Sequence, residues 1–304
     1  MTAQMIPFTE GEVGLDWLAL TRAMIAGHLK PRAQIKDVLL YRGADTLLNR
    51  SAWIDGIGIA VKAASIFPGN PARGKPMING AVNLFSDADG ALEAVLDFHL
   101  VTKWKTAGDS LLAATRLARP DSRNILIVGA GTVGRSLLQA YGAAFPNAQF
   151  TIWNRSAKGA GAFAAAHPGV TVAPDLEAAV RRADIVTCAT MSSTPVIFGH
   201  WLQPGQHIDL IGAYTPAMRE SDDTAIARSR VFVDSIETTV DHIGELIAPI
   251  AAGVIGPDHI LGDYYSMDTM KRHSDAEITL FKNGGGAHLD LMTSRYILDV
   301  WRAR

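Results

Sequence analysis

The 304-residue sequence predicts an α/β protein: a Rossmann-type doubly wound parallel sheet, plus a second α+β domain made of the N-terminal part and the C-terminal helix. Three observations carry that class. From about Asn124 short apolar strands alternate with helical segments, the rhythm of parallel βαβ units covered on both faces. The stretch VGAGTVGRS, residues 128–136, ends the first of those strands in a glycine string and opens a helix. Before Asn124 the apolar runs are extended and bounded by turn residues, as in a mostly antiparallel sheet.

In order, the chain opens with a capped helix, Phe8-Thr9-Glu10 leading into GLDWLALTRAMIAGHL, and continues through extended DVLLYR, WIDGIGIAVKAASIF and AVNLF. Asp89-Gly90 then precedes ALEAVLDF, and an Asp-Gly pair between two apolar runs marks a hairpin. NILIVGAG starts the alternation: a helix through Ala144, strand QFTIWN, helix SAKGAGAFAAAH, strand GVTVAP, helix DLEAAVRRA, and strands DIVTCAT, HIDLIGAY and RVFVDS. After about residue 275, ITLFKNGGGAHLDLMTSRYILDVW reads as a glycine hinge before an amphipathic helix. That helix, with Leu289, Met292, Tyr296 and Ile297 at helical spacing, should pack back on the first domain. The expected division is 1–115 completed by 280–304, and 116–279.

Composition narrows the function classes. A formal net charge of −2 without a Lys/Arg block gives no electrostatic footprint for nucleic acid or an anionic membrane. No basic region followed by an apolar one opens the chain, and no apolar run approaches the roughly 20 residues of a membrane span. The single cysteine, Cys188, excludes intrachain disulfides and CxxC sites. The expected location is the cytoplasm. His99, His207, His259, His273 and His288 show no HxxxH or HExxH spacing, so no metal site is expected.

The glycine string carries the chemistry. Gly129 permits the turn, Gly131 lets backbone approach a pyrophosphate, and Gly134 lets helix and strand pack closely, while the helix N-terminus offers unpaired N–H groups to phosphate. Thr132, Val133 and Thr190 complete the expected cofactor contacts around this loop. At the tip of the second strand, where NAD-binding chains carry an acidic residue, this one has Asn154-Arg155-Ser156. Arg155 can pair with a 2′-phosphate and its neighbours can donate to one, so the expected cofactor is NADPH, with NADH as the alternative.

Several motifs taken together resemble the ornithine cyclodeaminase and mu-crystallin family. They are Val61-Lys62-Ala63-Ala64-Ser65 through Phe67-Pro68-Gly69-Asn70 to Lys75-Pro76, Thr102-Lys103-Trp104-Lys105-Thr106-Ala107, GAGTVG, Asp209-Leu210-Ile211-Gly212-Ala213 ahead of Pro216 and Arg219-Glu220, and the closing TLFK with its glycines. Cyclodeaminases, alanine dehydrogenases, reductases of ketimines and cyclic imino acids, and NADPH-binding crystallins all belong there. The resemblance implies a homodimer built through the first domain's sheet, with substrate held between that domain and the nicotinamide. It places substrate-binding roles on Arg42, Lys62 and Lys105 and a cofactor-phosphate contact on Thr106. Lys105 departs from the family's usual arginine and offers a point charge where a guanidinium would grip a carboxylate with two bonds.

A second departure bears on the reaction. The aspartate that serves cyclodeaminases after the fifth strand aligns here with Tyr214, a poor general base at neutral pH. Hydride delivery to a preformed imine needs no such base. Arg42 and Lys105 would anchor a carboxylate, and Lys62, a cation inside the apolar run IAVKAAS, would protonate the imine nitrogen. The leading expectation is reduction of a small cyclic imino acid, Δ1-pyrroline-2-carboxylate to L-proline. The alternatives are an ornithine cyclodeaminase, a reductase of open-chain imines or amino-acid dehydrogenase, and a non-catalytic NADPH-binding protein of the crystallin kind.

Overall fold

The computed structural model describes residues 2–304, and its contacts divide the chain after Lys105 and after Gly284 into two units. The sequence placed those divisions near 115 and 280.

The first unit holds a six-stranded sheet in the order β1-β6-β5-β4-β3-β2. Its strands are β1 (Gln4–Ile6), β2 (Gln34–Arg42), β3 (Asp45–Ile54), β4 (Gly58–Ile66), β5 (Ile78–Phe85) and β6 (Leu92–Asp97). All pairs are antiparallel except β1 with β6. The expected single N-terminal helix is two, α1 (Phe8–Glu12) and α2 (Trp17–His28), because Asp16 starts a new one by accepting the Ala19 N–H at 2.7 Å. WIDGIGIAVKAASIF likewise splits at Asp55-Gly56, where Gly56 takes φ +82° in the hairpin between β3 and β4. In β4, period-two alternation buries Gly58, Ala60, Lys62 and Ala64 on one face. α10 (Ala287–Arg302) packs against β3, β4 and α2. α3 (Phe98–Leu117) begins in this unit and ends in the next.

The second unit is a seven-stranded, wholly parallel sheet ordered β12-β13-β11-β10-β7-β8-β9. Its strands are β7 (Asn124–Val128), β8 (Gln149–Trp153), β9 (Thr171–Val172), β10 (Ile185–Cys188), β11 (His207–Leu210), β12 (Arg230–Val233) and β13 (Thr279–Lys282). The helices are α4 (Thr132–Ala144), α5 (Ala157–Ala166), α6 (Leu176–Arg182), α7 (Asp223–Ala227), α8 (Ile236–Thr239) and α9 (Gly244–Ala251). TLFK, which the sequence assigns to no strand, is an interior strand between β12 and β11, buried at every residue. The chain leaves β7 toward β8 and β9, then crosses to β10, so the strand order reverses between β7 and β10. Ligands of doubly wound sheets bind at the carboxyl ends of strands beside such a reversal.

Polar groups also sit inside this core. Asp209, in the middle of β11, accepts hydrogen bonds from Ser110 Oγ (3.0 Å), Tyr141 Oη (2.9 Å) and Thr187 Oγ1 (2.7 Å). Burial pushes its carboxyl up to about 6 against the pull of those three donors.

Candidate functional site

In the second unit the fingerprint lies at the strand-order reversal. Gly129 has φ +115°, and a Cβ there would come within 2.6 Å of Ala189 O, so the loops after β7 and β10 meet at a contact only glycine permits. A Cβ on Gly134 would come within 2.2 Å of Gly129 O, which packs α4 closely under the loop. At Gly131 nothing lies within 4 Å of a Cβ position. Gly131 is also the N-cap of α4 and supplies no side-chain cap, so the N–H groups at Thr132 and Val133 face an open approach. These residues fit a dinucleotide pyrophosphate.

The tip of β8 divides the roles expected of its three residues. Asn154 ties the loops together: its Oδ1 accepts the Ala130 N–H at 3.1 Å and its Nδ2 donates to Ser156 O at 3.1 Å. Ser156 caps α5, accepting the Gly159 N–H at 3.3 Å. Arg155 is exposed between them.

Thr190 is held by a residue to which the sequence assigns no role. Glu220 Oε1 accepts both the Thr190 N–H (2.6 Å) and its Oγ1–H (2.8 Å), and Oε2 accepts the N–H groups of Gly212 (2.6 Å) and Ala213 (3.4 Å). One buried carboxylate thus joins the loops that follow β10 and β11. Burial pushes it up to about 7, with Lys282 opposing and Glu245 adding to the rise. Tyr214, next in the β11 loop, is exposed. Thr106 opens this unit on α3, and its carbonyl accepts Asn283 Nδ2–H at 3.1 Å.

In the first unit the cations gather differently from expectation. Lys62, from β4, donates to Asp290 Oδ1 and Thr102 Oγ1, both at 2.9 Å, and its Nζ lies 4.6 Å from the centre of the Phe98 ring. Lys105 is buried and donates to Gly285 O at 3.1 Å. Arg42 does not join them: it stands at the exposed β2–β3 turn and pairs with Asp45 at 2.8 Å. The third cation is Arg50, whose position in β3 is directly across from Lys62 in β4. Arg50 also donates to Gly285 O at 2.8 Å and pairs with Asp37 at 2.6 Å. The placement has a simple cause, since Arg42 ends strand β2, whereas Arg50 lies within β3.

The electrostatics follow from this packing. Burial pulls the Lys62 ammonium down to about 8, with Asp290 resisting and Lys105 and Arg50 adding to the fall. Burial alone would raise Asp290, yet Lys62, Lys105 and Arg50 hold its carboxyl below the ordinary range. Lys62, Lys105 and Arg50 act on the buried Asp290, and with Asp37 paired to Arg50 the group keeps one cation in excess, suited to a carboxylate ligand.

The family model described as ornithine cyclodeaminase/mu-crystallin family matches residues 54–304. The chain belongs to that family. Among the members it resembles, the Δ1-pyrroline-2-carboxylate reductase of Paracoccus denitrificans is 48% identical over 305 residues, covering 98% of this chain and 96% of the relative. The structure of Thermococcus litoralis Δ1-pyrroline-2-carboxylate reductase in complex with NADH and L-proline aligns with a TM-score of 0.90 at 25% identity, covering 99% of this chain and 98% of that one. An archaeal alanine dehydrogenase dimer with bound NAD aligns with a TM-score of 0.90 at 26% identity, covering 100% of this chain and 97% of that one. No helix of the described residues in this family member is long and apolar enough to cross a membrane.

Proposed function

We propose that this chain reduces a small cyclic imino acid, Δ1-pyrroline-2-carboxylate, to L-proline with a nicotinamide dinucleotide as reductant. The observation that carries the reading is the cluster of the buried Lys62 and Lys105 and the half-buried Arg50 around Asp290. The identity to the Paracoccus reductase along nearly the whole chain supports the same substrate.

Reduction adds a hydride to the imine carbon and a proton to its nitrogen. When bound, the dihydronicotinamide supplies the hydride. Gly131, Thr132 and Val133 would receive its pyrophosphate, and Arg155 a 2′-phosphate, which favours NADPH over NADH. Arg50 and Lys105 grip the carboxylate of the imino acid and fix the orientation of the ring. Lys62 gives its proton to the imine nitrogen; an ammonium drawn down to about 8 is a stronger acid than free lysine and is still mostly protonated at pH 7. Water then reprotonates Lys62.

The enzyme acts as a homodimer in this reading. Strand β2, at the edge of its sheet, leaves Val38, Leu39, Leu40 and Tyr41 exposed, an apolar row with unpaired backbone groups that a second copy would cover.

The test is a steady-state assay of Δ1-pyrroline-2-carboxylate with NADPH and with NADH, beside ornithine with NAD⁺ assayed for ammonia. Proline formed with stoichiometric NADPH loss is the expected result. Ammonia and proline from ornithine without net NADPH use would overturn it in favour of a cyclodeaminase.

A further inference from the structure

The ammonium of Lys62 carries three N–H donors. Two meet acceptors of the protein, Asp290 Oδ1 from α10 and Thr102 Oγ1 from α3, and the Phe98 ring lies beside the same nitrogen. These partners come from two helices packed on one face of β4, so they fix the direction of the third hydrogen as well as hold the other two. Asp290 is nearly wholly buried, and its Oδ2 has no hydrogen-bond partner among the described residues. That carboxylate therefore spends one oxygen on Lys62 and keeps the other inside the cation cluster.

We propose that Asp290 is the positioning residue of the reaction: it keeps the buried Lys62 charged and, together with Thr102, aims the remaining N–H at the imine nitrogen. The inference rests on the imino-acid reductase reading. The charges facing Lys62 are Asp290 on α10, Lys105 on α3 and Arg50 on β3, the last also paired with Asp37 on β2. Among the described residues, Asp290 is the anion that acts most strongly on Lys62. Two of its three charged neighbours are cations, so removing Asp290 leaves desolvation and repulsion acting together to expel the proton.

The experiment reads Lys62 directly. In protein carrying lysine labelled with ¹³C at Cε, the Lys62 resonance, assigned by its loss in Lys62→Arg, is titrated in the wild type and in Asp290→Asn. The expected result is a midpoint lowered by one pH unit or more in Asp290→Asn, with the alkaline limb of the kcat/KM profile for Δ1-pyrroline-2-carboxylate moving down by the same amount. An unchanged midpoint overturns the proposal. Asp290→Glu keeps the charge and displaces the carboxylate: kcat should fall at least tenfold with KM within twofold and the midpoint near that of wild type, and wild-type kcat in this variant also overturns the proposal. Should the wild type fail to reduce the imino acid, the reductase reading falls, and the titration still reports whether Asp290 holds the Lys62 proton.

Discussion

Arg50 and Lys62 stand directly opposite each other across β3 and β4. Like charges at such a cross-strand pair are unfavourable. The sheet carries them because Asp37 takes one side of Arg50 and Asp290 holds Lys62. Lys105 on α3 adds a third cation to these two balanced pairs, and the surplus positive charge suits a ligand carboxylate.

Arg50→Ala should therefore raise KM for the imino acid by about 10- to 100-fold, the range expected when hydrogen bonds to a charged group worth about 1.5–3 kcal/mol are lost. Arg42→Ala, at the exposed turn, should change KM less than twofold. Paired steady-state kinetics on the two variants check the exchange of roles.

Arg155→Ala should weaken NADPH far more than NADH in a fluorescence binding titration, since only the former presents a 2′-phosphate. Equal losses would remove Arg155 from that role.

Glu220→Gln would set an amide N–H₂ against at least one of the N–H and O–H donors that converge on the carboxylate from Thr190, Gly212 and Ala213. The expected cost is about 1–3 kcal/mol of stability. Dinucleotide affinity should fall too, because the loop after β10 that touches Gly129 is released. Thermal unfolding with and without NADPH separates the two effects.

Asp209 sets a pH dependence of defined sign. Its carboxyl is raised in the fold from 3.8 to about 6, so the native state binds more protons than the unfolded chain between those values and loses stability as pH rises through them. Asp209→Asn removes that loss, and Ser110, Thr187 and Tyr141 can turn their hydroxyls to suit an amide. The stability of the variant relative to wild type should increase from about pH 4 to about pH 6 and stay level above, as read by urea unfolding across that range.

Leu40→Glu, on the exposed row of β2, should convert a dimer to monomers in light scattering without altering the far-UV circular dichroism. A dimer unchanged by the substitution would place the interface elsewhere.

What sequence reading could reach depended on how local each signal was. The glycine loop was legible because its strand, turn and helix are contiguous, and Lys62 because a cation in an apolar strand is conspicuous by itself. Arg50 was not: in LLNRSAWI nothing singles it out, and its meaning comes from register with a neighbouring strand. Asp290 acquires its role only when α10 returns across β3 and β4. Glu220, which the sequence shows only as half of an Arg-Glu pair, becomes significant once its donors converge from the loops after two separate strands. TLFK as a strand is not legible, because four residues next to three glycines carry no periodicity of their own.

The place of β13 has a consequence for how the molecule is made. A ribosome that has delivered β7 through β12 has not delivered the strand that belongs between β11 and β12, and the first unit still lacks α10. The second unit therefore awaits β13, and the first awaits α10. A chain stopped between β13 and α10 would keep every glycine of the nucleotide loop and lose Asp290, the counter-charge of Lys62.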